Sequence, residues 1–354
     1  MNFDLLMPLF LFSVPLAAVL LARRSEDKLR STIEGKEFGN KDIALFAALI
    51  AVAVSVIIFV PSLTILVLFL FSYSSLLFTF SYTYSNMQAR NMRLYCGTFI
   101  VASVLAAVAG FSGAIPSDLR IYGILAFVVL AACSLFALFY AQKKADAKQK
   151  WYLAGLSPAL FVLLFVFYNQ TRLWFPYLLD VYAVLFAMLI IIYLAPMFNW
   201  KIMFVYALAI TALDIFSVWG PGHVMYQAAT TLTNLNLPVL AWLPNIPIIH
   251  LTEGIWLNGL GLGDLFFTGV LSFQTMKKFG QKTTLVSMIG IALSFGLFEL
   301  ILLNPGSAIS KLLPVQALPA TLPILIGWIP AVAVKMLIDR SKPKPELQTP
   351  ATRP

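Results

Sequence analysis

Residues 203–220 read MFVYALAITALDIFSVWG, a stretch long enough to cross hydrocarbon as a helix, with one ionisable side chain, Asp214, well inside it. A carboxylate facing lipid costs roughly several kcal/mol, so such a residue belongs in a bundle interior or a water-filled cavity and marks a functional site by default. Residues 256–273, WLNGLGLGDLFFTGVLSF, repeat the situation with Asp264 directly after Gly261-Leu262-Gly263. Two carboxylates in two neighbouring apolar segments predict a membrane-embedded helical protein with paired acidic groups in its interior.

The composition extends that reading to the whole chain. Of its residues 60% are hydrophobic and 11% charged, and the apolar residues fall in runs of about 17 to 21, the length that spans hydrocarbon. Alternating ten-residue patterns of the outer-membrane barrel kind are missing, and a backbone in lipid must satisfy its own hydrogen bonds, which leaves helices. The predicted fold class is all-α, a polytopic transmembrane helical bundle with no sizeable soluble domain. Apolar segments lie near 4–22, 43–60, 62–80, 97–115, 121–140, 152–168, 177–195, 202–220, 257–275, 285–303 and 318–337, with Pro61-Ser62 marking the turn inside the long run 43–80.

Eleven spans distribute the basic residues one-sidedly. With the N-terminus outside, loops 23–42, 81–96, 141–151, 196–201 and 276–284 and the tail 338–354 lie inside and hold 20 Lys and Arg, against Arg120, Arg172 and Lys311 outside. Basic residues gather in cytoplasmic loops, so the split predicts N-out, C-in. Topology thus accounts for most of the net charge of +9. Charges spread over six short segments form no basic face, which argues against a nucleic-acid partner. The first segment opens with Asp4 and is followed by Arg23-Arg24, which suits a retained N-out anchor rather than a signal peptide. The basic, Pro-rich tail 338–354 is expected to be disordered.

Cys96 and Cys133 suggest neither a disulfide framework nor a metal site, and with His223 and His250 as the only histidines there is no His-Glu-x-x-His, so zinc proteolysis is not expected. Gly110-Phe111-Ser112-Gly113 imitates the Gly-x-Ser-Gly of rhomboid proteases, but neither histidine falls in a clear span where it would serve as the serine's base; a Gly/Ser turn at a helix end is the simpler reading.

Gly261-Leu262-Gly263-Asp264 resembles the Gly-x-Gly-Asp signature of the presenilin and signal peptide peptidase family of aspartyl intramembrane proteases. Asp214 lies in the preceding span, as that family's first catalytic aspartate does; residues 214–221 look like the archaeal presenilin-like branch; and Ala317-Leu318-Pro319 stands in the last span, where the family carries Pro-Ala-Leu. Leu213 stands where Tyr is frequent, and Gln316 where the first Pro is expected. The resemblance covers 62–337 and implies a nine-helix presenilin-like core, with two extra N-terminal helices in 1–61. It also implies catalytic Asp214 and Asp264, an active-site motif of Gly261, Leu262, Gly263, Ala317, Leu318 and Pro319, no metal or organic cofactor, and single-span transmembrane proteins or signal-peptide remnants as substrates. The setting would be the lipid bilayer of a prokaryotic, archaeal cell membrane.

The depth of the two carboxylates in their spans suits the same chemistry. If 202–220 enters from inside and 257–275 returns from outside, Asp214 and Asp264 lie about 18 Å and 16–17 Å from the inner ends, the same depth. Gly259 and Gly263 read as a small-x-x-x-small pair for close helix approach, with Gly261 a further missing side chain beside Asp264. Two close carboxylates do not comfortably both ionise, so one holds a proton while the other activates water, and titration belongs to the pair. Loop 221–256, with LPVLAWLP at 237–244, is expected to be either a gate or strand-forming element for an unwound substrate or an interfacial loop without that role. Asp180 and Glu299, near span ends, are expected to reach the interface or the bundle and are not assigned catalysis. The alternative function is a proton- or sodium-coupled transporter using both aspartates as its ion site, although no inverted repeat is evident.

Overall fold

A computed structural model of the chain describes residues 4–32, 38–60, 70–83, 89–114, 117–143, 151–168, 178–220, 239–244, 246, 250–251, 254–255, 257–304 and 319–341. Segment 62–69, residues 221–238 with His223, Gln316, Ala317, Leu318 and the tail 342–354 lie outside them.

The described residues form a helical bundle. In chain order the helices are α1 (Leu6–Thr32), α2 (Asn40–Phe59), α3 (Ser72–Thr83), α4 (Ala89–Ala109), α5 (Arg120–Lys143), α6 (Trp151–Ala154), α7 (Leu156–Tyr168), α8 (Leu179–Leu194), α9 (Trp200–Trp219), α10 (Leu262–Phe279), α11 (Gln281–Leu302) and α12 (Thr321–Ser341). Between α9 and α10 lie β1 (Leu240–Pro244), β2 (His250–Leu251), β3 (Gly254–Ile255) and β4 (Leu257–Gly261). Among the described residues, seven helical stretches are long and apolar enough to cross a membrane: Leu6–Arg23, Arg90–Gly113, Arg120–Gln142, Leu179–Met197, Trp200–Trp219, Gln281–Leu302 and Thr321–Ser341. The chain is a multi-pass membrane protein.

The other four expected spans differ in detail. Segment 43–60 is helical as α2, 62–80 is described only from residue 70, and 152–168 is broken at Gly155 between α6 and α7. Segment 257–275 does not begin as a helix: its first five residues are β4, paired antiparallel with β1, and α10 starts only at Leu262. Gly259 and Gly261 are poor helix formers, and the partner strand supplies the hydrogen bonds that a helix would otherwise make.

Helix α10 is the axis of the bundle. Every residue from Leu265 to Met276 is buried, because α1, α8, α9, α11 and α12 all pack against it. A helix enclosed on all sides needs no lipid-compatible exterior, so it carries Thr268, Ser272, Gln274 and Thr275 among its buried residues. Helix α1 is early in sequence but central in space, packing on α8, α10 and α11.

Between helices in lipid, close packing and hydrogen bonds replace the hydrophobic drive. Gln274 Nε2 donates to the Ala195 and Phe198 carbonyls at 3.0 and 2.7 Å, tying α10 to the turn that joins α8 and α9. Trp328 Nε1 donates to Thr275 Oγ1 at 2.9 Å, tying α12 to α10. Helices α11 and α12 approach backbone to backbone: a Cβ on Gly290 would lie 2.4 Å from the Gly327 carbonyl oxygen, and one on Gly327 2.3 Å from that of Gly290.

Candidate active site

Asp214 sits in the second half of α9, where its Oδ2 accepts hydrogen bonds from the Thr321 backbone N–H at 3.1 Å and from Thr321 Oγ1 at 2.7 Å. Thr321 opens α12. Helix-opening N–H groups have no partner within the helix, and the aligned peptide dipoles put partial positive charge there. The chain enters that helix through Pro319, whose carbonyl accepts from Leu322 N–H at 3.2 Å. The carbonyl of Pro319 is therefore engaged in starting α12.

Asp264 occupies the first turn of α10, a second helix N-terminus that favours negative charge. The Gly261 backbone bonds its carboxylate, and the two aspartates interact electrostatically. A Cβ on Gly261 would lie 2.9 Å from Asp264 Oδ2, so any side chain there would displace the carboxylate. Buried Tyr206, packed on Phe198, Phe266 and Phe267, also lies within electrostatic reach of Asp264.

The helices carrying the pair run antiparallel from a shared level. Trp200 at the start of α9 meets Phe279 at the end of α10, ring centroids 5.3 Å apart, and the Lys278 ammonium sits 4.2 Å above the Trp200 ring. Asp214 lies fourteen residues from that level and Asp264 fifteen, about 21 and 22 Å at 1.5 Å per residue. Both are half-buried, and Asp264 lines a cavity of about 250 Å³. Two carboxylates that interact electrostatically, one of them on a cavity, can act as a general acid and a general base on one substrate.

A strand leads straight into Asp264. The register pairs Leu240 with Gly261, Trp242 with Gly259 and Pro244 with Leu257. In an antiparallel ladder the pairs alternate between hydrogen-bonded and non-bonded. The Leu262 N–H donates to the Val239 carbonyl at 3.1 Å, and the Trp242 N–H turns away from β4 to donate to Asp180 Oδ1 at 2.7 Å. Leu257, Gly259 and Gly261 therefore face away from β1. The outer edge of β1 is closed at two points, by Asp180 at Trp242 and by the missing N–H of Pro244. The outer edge of β4 runs along the cavity, with Asn258, Gly259 and Leu260 in its wall.

One expectation is corrected. Gly259 and Gly263 do not form a helix-packing pair: Gly259 lies in β4 with the Trp242 ring 3.3 Å from where its Cβ would be, and a Cβ on Gly263 would meet nothing within 4 Å. Small residues pass backbones closely at Gly290 and Gly327 instead. Asp180 does more than reach the interface, since it anchors β1 to α8. The rhomboid-like serine is part of a helix end: Ser112 Oγ donates to the Ala109 carbonyl at 2.7 Å, and Gly113 has φ 89°.

Of the expected site residues, Asp214, Asp264, Gly261 and Leu262 converge at the head of α10, Gly263 sits there with open space beside it, and Pro319 joins through Thr321. Sequence reading missed Thr321 and Tyr206. Thr321 had one faint signal, a hydroxyl two residues after Pro319 at a helix start; Tyr206 had none. No protein-family model matches the chain, and no curated protein matches it.

Proposed function

We propose that this chain is an intramembrane aspartyl protease of the presenilin and signal peptide peptidase type, hydrolysing peptide bonds within transmembrane helices or signal-peptide remnants with Asp214, Asp264 and a water. The observation that carries the reading is the convergence of both carboxylates at equal depth beside an open strand edge. A substrate helix hides its scissile bond in its own hydrogen bonds and must be held extended to be cut. The outward N–H and C=O groups of Gly259 offer a third-strand position along β4, and the glycine leaves that edge uncovered by a side chain. The substrate strand would then run past Asp264. One carboxylate takes a proton from water as it attacks the peptide carbonyl, and the other gives a proton to the leaving nitrogen; with the roles shared by the pair, no metal or organic cofactor enters.

The same reading carries the finer architecture: a nine-helix core in 62–337 with two additional helices in 1–61, an N-out, C-in orientation in an archaeal cell membrane, and single-span substrates whose N-termini face the cytoplasm. Ala317 and Leu318 belong to the third motif by resemblance. The test is inhibitor sensitivity. Purified protein is incubated with a labelled single-span substrate, with and without a transition-state mimic of aspartyl proteolysis; inhibitor-sensitive cleavage within the span is expected, and cleavage indifferent to the mimic argues against an aspartyl mechanism.

A further inference from the structure

The wall of the Asp264 cavity carries Glu299, an acidic group that the proteolytic chemistry does not use, and Asp4 lies within its electrostatic reach. Glu299, on α11, lines the cavity and is 9% exposed. Its Oε1 accepts from Asn258 Nδ2 at 3.3 Å, while its Oε2 is buried with no hydrogen-bond partner. Asp4, 4% exposed, interacts electrostatically with Glu299. Asp4 Oδ1 accepts from the Leu6 and Ile246 N–H groups at 2.9 and 3.1 Å, and its Oδ2 also lacks a partner. Among the described residues no cation reaches either carboxylate.

Buried carboxylate oxygens left unpaired within electrostatic reach of one another are costly, and a donor or positive charge arriving at Glu299 relieves that cost. The form of the cavity selects what that charge is carried on. A bare ion needs no chamber of about 250 Å³, and apart from Glu299, Asp264 and Asn258 the side chains in the wall are apolar, with Met7, Phe295, Phe298 and Leu302. An apolar stem with a cationic head fits such a space. The stem would enter beside Asn258 and Gly259, about three residues along β4 from the head of α10, or about 10 Å at strand rise.

We infer that this cavity is a side-chain pocket for a Lys or Arg of the substrate, taken within three residues of the scissile bond, with Glu299 receiving its charged head and Asp4 adding negative charge behind it. The inference rests on the proteolytic reading and narrows its substrates to spans with a basic residue near the cut. The experiment uses the full-length protein in proteoliposomes and a single-span substrate set in which each of the three positions on either side of the scissile bond carries Lys, Arg, Leu or Glu in turn. At one position, kcat/KM for Lys or Arg is expected to exceed that for Leu by about tenfold or more, with Glu lowest. In Glu299→Gln the ratio of Lys to Leu substrate, measured on one enzyme preparation, collapses towards unity. Cleavage without that preference in the wild type, or a preference that survives in Glu299→Gln, overturns the pocket and leaves the protease standing. No cleavage of any member overturns both.

Discussion

Asp214 and Asp264 are held by different neighbours, and each neighbour yields a separate prediction. Thr321 gives Asp214 two hydrogen bonds, one from a hydroxyl that a mutation removes. Thr321→Ala is expected to lower kcat roughly tenfold, the cost of one hydrogen bond to a charged group, whereas Thr321→Ser retains most activity; equal activity of the Ala variant and the wild type would show that Asp214 does not depend on this contact. Around Asp264 the decisive residue is Gly261. Its absent Cβ leaves room for the carboxylate, while Gly263 faces open space. Gly261→Ala is therefore expected to lose about tenfold more activity than Gly263→Ala, and the reverse order would overturn the assignment. The two aspartates themselves were legible in the sequence because a charge among apolar residues stands out. Thr321 was not, because its partner lies 107 residues away, and a Thr at a helix start has many ordinary reasons to be there.

At the scale of elements, the strand pair sets the register in which a substrate would meet Asp264, and Asp180 fixes that pair to α8 through one 2.7 Å bond. Asp180→Ala is expected to loosen β1, reduce cleavage, and spread the cut over neighbouring bonds, while Asp180→Asn, which keeps an acceptor, restores a single site. Mass spectrometry of the products distinguishes this from a general loss of folding, which would lower yield without moving the cut. A second element-scale prediction concerns α11 and α12. Since a Cβ at Gly290 or Gly327 would meet backbone closer than atoms approach, Gly290→Leu or Gly327→Leu should lower the melting temperature of the purified protein by several degrees, at a cost of roughly 1–3 kcal/mol or more. An unchanged melting temperature would mean that the two helices separate easily. Most helices could be read from apolar runs because each faces lipid on one side, and enclosed α10 because its buried faces are largely apolar as well. The strand β4 could not: Leu257, Gly259, Leu260 and Gly261 are as apolar as the span they precede, and only pairing with residues 240–244 makes them a strand. The same blindness put a helix-packing role on Gly259 and Gly263.

Across the whole molecule, a multi-pass bundle wraps α10, a long helix buried from Leu265 to Met276 that carries polar residues along that length. The charge asymmetry of the loops predicts which end of that bundle faces the cytoplasm. Single cysteines in loop 221–256 and in tail 342–354, in a background lacking Cys96 and Cys133, are expected to react with an impermeant thiol reagent in intact cells at the loop and not at the tail; the opposite pattern would invert the orientation and the substrate preference that follows from it. The central claim is narrower: that Asp214 and Asp264 act together on one peptide bond. It is tested most directly by reconstituting the wild type, Asp214→Asn and Asp264→Asn in proteoliposomes with a labelled single-span substrate and quantifying the products. The account predicts defined fragments from the wild type and a loss of roughly a thousandfold or more in each variant, with both variants still folded; near wild-type cleavage by either one would contradict it.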